Sequence, residues 1–333
     1  MNEPIRIALI GFGFMGKLHA AVYHRLPNVE LVAVVDPQLE LVNDAVRDSG
    51  LSCPVFSSYA EAAGLHFSVV DVCLPTDLHT TIVLEALGDG KHVFCEKPIS
   101  LTRDNAQEMV DAARLADRQL MIGQCIRFWP EYVELKRVVD SGEYGRILSL
   151  SMSRRSGRPG YSVGDWVNRP ERCMGAALDL HIHDSDFLLH LLGRPRAVFS
   201  QAVSDATGWS SIVTQYVHDG TTVVADGAWN YPEKWGFQMR FSAVFENAVL
   251  DYDSRAADPL TRTLADGATL PVKLSEAMEG KDGYFHELSY FVNCIERGEP
   301  VAISTGEQAA ASLDLVLTEI ESAETGRLIH LHQ

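Results

Sequence analysis

The chain has 333 residues, with 28 Lys and Arg against 45 Asp and Glu, and a formal net charge of −17. Such an acid surplus argues against a general nucleic-acid or anionic-membrane surface, both of which need clustered cations. No run of about eighteen uncharged apolar residues is present, so no membrane-spanning helix is expected, and the length suits two domains with separate cores.

The first residues, Met1 to Pro4, lead straight into an apolar run with no basic and apolar leader, which makes a cytoplasmic location the expectation. Cys53, Cys73, Cys95, Cys125, Cys173 and Cys294 are scattered and form no Cys-x-x-Cys pair. All six read as reduced, with no disulfide framework and no zinc ribbon.

In chain order, Ile5 to Ile10 reads as a strand buried on both faces, followed by Gly11-Phe-Gly13-Phe14-Met15-Gly16 and a helix. Each glycine has its own task there. Gly11 permits the tight turn, Gly13 lets a pyrophosphate approach the backbone, and Gly16 lets helix and strand pack closely, with the helix N-terminus facing the anion. A second apolar run, 29–35, ends in Asp36, twenty residues beyond Gly16, where a ribose-binding acid belongs. A carboxylate there accepts from both ribose hydroxyls and repels a 2′-phosphate, and no cation follows until Arg47, so NAD is favoured over NADP. The alternative is an Asp that only caps the next helix.

A helix over 38–46, a short strand over 54–56 and a strand over 68–74 come next, with a loop from Pro75 to His79. A helix over 80–87 then closes at Gly88 and Gly90, a strand over 92–95 runs into Glu96-Lys97-Pro98, Thr102 is positioned to cap a helix ending near 116, and a strand covers 119–124. This alternation gives a doubly wound parallel sheet, an α/β Rossmann domain over residues 1–125. Ligands bind beyond the carboxyl ends of such strands, which puts residues 75–79, 96–98 and 124–127 around one cleft. Besides the glycine turn with Phe14, Met15 and Asp36, the cofactor is expected to meet Leu74, Pro75, Thr76, His79, Glu96 and Lys97. His79 can bond the cofactor or cap its helix.

From residue 126 to 333 the pattern is that of an α+β domain. Helices are expected over 130–139 and 176–192, a strand over 147–153, and then consecutive strands over 197–203, 211–217, 221–229, 236–245 and 249–252. The alternation of Gln238, Arg240 and Ser242 with Met239, Phe241 and Ala243 fits an open, mainly antiparallel sheet with one covered face. Helices over 284–296 and 307–322 and a strand over 328–331 close the chain.

Lys97, at a strand end facing the expected cleft, can hydrogen-bond a substrate hydroxyl and the nicotinamide ribose and stabilise charge on a reacting oxygen. The alternative is a surface Lys paired with Glu96. In a helical 176–192, Asp179 and His183 stand at i, i+4 on one face, continued by Asp186 and His190. A His of near-neutral pKa can take a hydroxyl proton while a neighbouring carboxylate orients it or the substrate. A solvated polar helix face is the alternative. His181, His183 and Asp184 resemble metal ligands, but His-x-His on a helix diverges, and no metal is expected. Arg154, Arg155 and Arg158 read as a cationic loop after a strand, for a substrate anion or for salt bridges between subunits. Trp166 and Tyr161 can stack on a sugar or pack in a core.

Taken together, the chain resembles the glucose-fructose oxidoreductase and inositol dehydrogenase family. The likeness runs through the glycine turn to His19, Cys73-Leu74-Pro75-Thr76-Asp-Leu-His79, Glu96-Lys97-Pro98, Arg127-Phe-x-Pro130, Asp179-x-x-x-His183-Asp184 and Ser322-Ala-x-Thr-Gly326. The resemblance implies Lys97, Asp179 and His183 as the catalytic set, with His183 as acid/base, Asp179 positioning substrate and Lys97 bridging substrate and cofactor. It implies a cis bond before Pro98 and a homodimer or homotetramer built through the C-terminal sheet. Two departures concern substrate: Met174 stands where relatives often have the first of two glycines, and Cys125 where many have Asn. Cys125, Arg127, Arg155 and Trp166 are the expected substrate-binding residues. The function expected is an NAD(P)-dependent oxidoreductase interconverting a secondary alcohol and a ketone on a sugar, inositol-like cyclitol or other polyol. The alternatives are a redox-neutral NAD-using enzyme such as a glycosidase, and a non-catalytic NAD-sensing regulator.

Overall fold

In the computed structural model, which describes residues 3–160 and 162–331, the chain forms two units. The first comprises the chain up to Gln124 with residues 162–166 and Tyr284–Ala311, and the second comprises Cys125–Gly160, Val167–Gly283 and the chain from Ser312. Tyr161 lies outside the described residues.

The first unit alternates β1 (Ile5–Ile10), α1 (Phe14–Tyr23), β2 (Val29–Val35), α2 (Leu39–Asp48), β3 (Val55–Phe56), α3 (Tyr59–Ala62), β4 (Val69–Val72), α4 (His79–Gly88), β5 (His92–Glu96), α5 (Arg103–Ala116) and β6 (Leu120–Gly123). The strands pair in parallel in the order β3-β2-β1-β4-β5-β6. Parallel strands covered on both faces need near-continuous apolar runs, and Ile7, Leu9, Val34, Val70 and Phe94 are all fully buried. The order reverses between β1 and β4, and the glycine turn lies at that switch point, where doubly wound sheets take their ligands. Thr102 caps α5 as expected, its hydroxyl accepting the Asn105 N–H at 3.2 Å. A late segment is stitched to this sheet: Ser304 donates its hydroxyl to the Ile122 carbonyl at 2.6 Å, and Phe291 packs edge-on to Phe94.

The second unit contains α6 (Pro130–Ser141), β7 (Ile147–Gly157), α7 (Pro170–Cys173), α8 (Ile182–Leu192), β8 (Ala197–Asp205), β9 (Gly208–His218), β10 (Thr221–Tyr231), β11 (Phe237–Phe245), β12 (Ala248–Asp253), β13 (Leu260–Leu264) and β14 (Thr269–Pro271). Then come α9 (Gly283–Arg297), most of which belongs to the first unit, α10 (Gly306–Thr325), which runs from the first unit into the second, and β15 (Ile329–His330). The sheet order is β14-β13-β12-β11-β7-β10-β9-β8-β15, mostly antiparallel, with β7 and β10 paired in parallel. At one end of the sheet, β13 and the edge strand β14 have no apolar alternation to announce them, since most of their residues are half-buried or exposed. On β11 the expected alternation holds, with Met239, Phe241 and Ala243 buried. An aromatic cluster fills the covered side, where Tyr132 lies edge-on to Phe187 at 4.9 Å and to Phe241 at 5.1 Å.

The expected helix over 176–192 is not uniform. Ala177–His181 form a wider π-helical turn, and the α-helix starts at Ile182. This turn presses directly on β10: a Cβ on Gly227 would lie 2.6 Å from the His181 Cβ and 2.9 Å from its Cα. Among the described residues no helix is long and apolar enough to cross a membrane, and the six cysteines are free.

Candidate active site

In the glycine turn, each position is decided by what a side chain would meet. Gly11 has φ +91, and a Cβ there would reach the Cys73 carbonyl oxygen at 2.5 Å. A Cβ on Gly16 would come within 2.0 Å of the Gly11 oxygen, so both residues must be glycine. A Cβ on Gly13 would meet no atom within 4 Å, which leaves this side of the turn open to a ligand. Gly13 also caps α1 without a side-chain bond, and no acid occupies the first turn, so the helix N-terminus is suited to an anion. Phe14 stands 58% exposed beside it, and Met15 is half-buried. Asp36 sits next to the same turn: its Oδ2 accepts the Phe12 N–H at 3.0 Å and its Oδ1 the Gln38 N–H at 2.9 Å. It therefore supports the α2 entry, as the capping alternative has it, and faces the glycine turn. These residues fit a dinucleotide.

At the strand ends, Leu74 and Pro75 are half-buried and Thr76, in a short 3-10 turn over Thr76–Leu78, is buried. His79 opens α4, but its ring nitrogens meet two backbone carbonyls, Pro98 at 2.9 Å and Leu74 at 2.8 Å. The ring ties two loops together, so cofactor contact would fall to its carbon edge. Burial pushes its pKa below the usual imidazole value despite the two carbonyls. The half-buried Lys97 follows β5, its bond to Pro98 is cis, and its backbone N–H is held by the Glu96 Oε2 at 3.2 Å.

In the second unit Asp179 lies in the π-turn and His183 in the first turn of α8, about one turn apart, each 8% exposed. The residues around them are sealed. His181, Asp184 and Asp186 are 0% exposed and paired inward. The His181 Nε2 lies 2.7 Å from the Glu319 Oε2, which also accepts the Ser185 and Thr214 hydroxyls at 3.2 Å. Burial opposes charge on His181, yet the Glu319 carboxylate raises its pKa above the usual value. Asp184 takes Arg154 at 3.1 Å; burial nonetheless pushes its carboxyl up, against the pull of Arg154. Of the metal-like trio His181, His183 and Asp184, the first and last are thus turned to different partners, Glu319 and Arg154.

Asp186 holds Arg127 in a fork, two N–H···O bonds of 2.8 Å, and accepts the Ser312 hydroxyl at 2.6 Å. The guanidinium expected to meet substrate is committed to this buried clamp. His190, half-buried one turn on, is pushed down to about 4 by burial and by Arg127. Cys125 is buried at the start of a short turn over Cys125–Phe128.

The arginine cluster is not a loop. Arg154 and Arg155 lie within β7, where successive side chains point to opposite faces. Arg154 faces α8 through Asp184, whereas Arg155 lies on the other face and forks onto Asp226 at 2.8 Å. Arg158 pairs with Asp205 at 2.8 Å. All three have partners within the chain, and Arg155 is not brought together with Asp179 and His183. Trp166 is half-buried in the 162–166 stretch.

Sequence reasoning missed His181 with Glu319, and Gly227. The signal for the first was a second His inside an apolar helix; for the glycine, an isolated Gly in a strand marks close backbone approach.

The family described as "Oxidoreductase family, NAD-binding Rossmann fold" matches residues 5–124, and the "GFO/IDH/MocA C-terminal domain" matches residues 132–250. D-glucoside 3-dehydrogenase of Escherichia coli (strain K12) is 28% identical over 349 aligned positions, covering 99% of this chain and 98% of the relative. Inositol 2-dehydrogenase 4 of Saccharopolyspora erythraea is 30% identical, covering 74% of this chain and 73% of the relative. A solved levoglucosan dehydrogenase, in complex with NADH and levoglucosan, superposes with a TM-score of 0.89 at 20% identity over 99% of this chain and 100% of its own. The chain therefore belongs to the glucose-fructose oxidoreductase and inositol dehydrogenase (GFO/IDH/MocA) family of oxidoreductases, with a Rossmann domain of the NAD-binding type.

Proposed function

We propose that the protein is an NAD-dependent dehydrogenase interconverting a secondary alcohol and a ketone on a sugar, cyclitol or related polyol. The observation that carries this reading is the pair Asp179 and His183, one turn apart and each 8% exposed, while the ionisable residues between and beside them are sealed and paired inward. The names of the relatives, inositol 2-dehydrogenase and D-glucoside 3-dehydrogenase, support a polyol as substrate.

Bound nicotinamide supplies the hydride acceptor, or the donor in the reverse direction. His183 takes the hydroxyl proton as the C–H bond breaks, so the alcohol loses one proton and one hydride and becomes the ketone. Asp179 accepts a substrate hydroxyl and fixes its orientation. Lys97 donates to the reacting oxygen as charge develops there. Asp36 accepts from the adenosine ribose hydroxyls, with Gly13 and the α1 N-terminus toward the pyrophosphate and Leu74, Pro75 and Thr76 lining the cofactor. Support for a homo-oligomer comes from apolar side chains exposed along the sheet, among them Val203 at 58% and Val213 at 45%. The free cysteines fit a reducing compartment, and a cytoplasmic location is part of the proposal.

The test is NADH absorbance with purified protein, NAD or NADP, and a panel of inositols, aldoses, sugar acids and deoxy sugars. A signal with NAD on one class of polyol is expected, and Asp36→Ala should relax the preference for NAD. Silence across the panel, with NAD binding confirmed by calorimetry, would turn the reading toward a redox-neutral enzyme or a cofactor-sensing regulator.

A further inference from the structure

His19 lies in α1, the helix that leaves the glycine turn, and is fully buried. Its Nδ1 is 2.8 Å from the Asp71 Oδ2 on β4, and its Nε2 is 3.1 Å from the Oε1 of Glu96, the last residue of β5. The Tyr23 hydroxyl donates to the same Asp71 oxygen at 2.9 Å, and the Cys73 sulfur is 3.2 Å from Nδ1. Glu287 of α9 is buried in the same cluster, with a carboxylate oxygen within 4.8 Å of a His19 ring nitrogen and of a Glu96 carboxylate oxygen. Phe94 packs edge-on against the ring at 5.5 Å.

A ring with a carboxylate oxygen at each nitrogen satisfies both only as the imidazolium, which carries two N–H donors. Burial opposes that charge, but Asp71 and the groups beside it raise the His19 pKa well above its usual value. The second oxygen of Glu96 accepts the Lys97 backbone N–H at 3.2 Å. Gly123 leaves room for this carboxylate, since a Cβ there would lie 3.0 Å from Oε1. On the far side of Lys97 the Pro98 carbonyl is held by His79 at 2.9 Å.

We infer that His19 is a positioning residue for Lys97: it grips Glu96, Glu96 grips the Lys97 backbone, and the helix leaving the glycine turn thereby sets the placement of the lysine. The clamp rests on the reading of Lys97 as the group that meets substrate, and gives its setting a cause. It makes His19 responsible for one bond that matters to Lys97, the bond to Glu96, and for another that matters to the fold alone, the bond to Asp71.

The two bonds can be separated by near-isosteres. His19→Gln keeps a donor near the Nε2 position, toward Glu96, and His19→Asn keeps one near Nδ1, toward Asp71. The readout is the rate at which acetic anhydride labels each lysine of the NADH-loaded protein, followed by peptide mass mapping. The expected result is that His19→Asn shifts the Lys97 rate severalfold relative to the other lysines, while His19→Gln leaves it near the wild-type value. Unchanged Lys97 labelling in both variants, or a common shift of all lysines, overturns the clamp. If neither variant folds, Glu96→Gln is measured with the same readout, and a shift confined to Lys97 supports the clamp while no shift or a general one overturns it. Lys97→Ala, assayed with whichever polyol the panel selects, tests the underlying reading separately. Unchanged turnover there removes the catalytic role of Lys97 and leaves the labelling result to decide the clamp.

Discussion

Each unit seals one histidine among carboxylates, and the two histidines stand in different relations to the residues in front of them. In the first unit His19 spans two strand ends, Asp71 and Glu96, and its second partner is the neighbour of Lys97 in the chain. In the second, His181 lies between Asp179 and His183 in sequence but points away, to Glu319 on α10. One acts across a parallel sheet, on the backbone of a loop; the other anchors a π-turn, so that its neighbours keep what exposure they have. Burial alone therefore does not separate a residue that does chemistry from one that holds it in place. An inward ion pair such as that of His181 with Glu319 turns a side chain toward the core rather than toward a substrate.

The largest effect expected from this contrast is at His183. His183→Ala should lower turnover roughly 10²- to 10⁴-fold, the range for loss of a general acid/base, with little change in NADH binding or melting temperature. The reverse pattern belongs to His181→Ala. That change leaves Glu319 buried without its cation and should cost about 3–5 kcal/mol in chemical denaturation. Similar turnover losses in the two variants, at equal stability, would erase the distinction.

Gly227→Ala tests the anchor from the strand side. The added methyl meets the His181 Cβ at 2.6 Å, and overpacking of this kind costs about 1–3 kcal/mol, with a fall in kcat as the π-turn shifts. An unaltered denaturation midpoint would mean that the turn yields freely.

The pH dependence of stability should carry both signs. The raised pKa of His19 makes its contribution complete below about pH 6.5, the ordinary value in the unfolded chain, and it is lost as pH rises through the folded value. His190 behaves oppositely. With its folded value near 4, the unfolded chain binds the extra proton between about 4 and 6.5, so stability falls as pH drops through that window. Melting temperatures across pH should accordingly flatten on the acid side in His190→Asn, and an unchanged acid limb would remove this assignment.

The smallest effect concerns Met174, which ends α7 at φ +60, a left-handed conformation unfavourable for a side chain. Met174→Gly should stabilise the protein by about 1 kcal/mol, measured in urea, less the entropy that glycine loses on folding. A loss of stability would show that the Met174 side chain contributes more in packing than its backbone costs.

Much of the first unit could be read from the chain because its determinants are local. The apolar run of β1, the three glycines, the acid twenty residues on and the Thr102 cap act over a few residues of backbone each, and dihedral demand and strand burial leave a direct trace in sequence. The spacing of Asp179 and His183 is likewise local, and it places them about one turn apart whether that turn is α or π. What the tertiary structure decided depends on which distant groups are desolvated together. Arg127 reads as a free cation until Asp186, 59 residues away, claims it. Arg154 and Arg155 read as one loop cluster until strand pairing sends them to opposite faces, one to Asp184 and the other to Asp226. The tie of Ser304 to Ile122 spans 182 residues, and that of Ser185 to Glu319 spans 134. No periodicity records such pairings, because a buried charge is satisfied by whatever the fold brings to it.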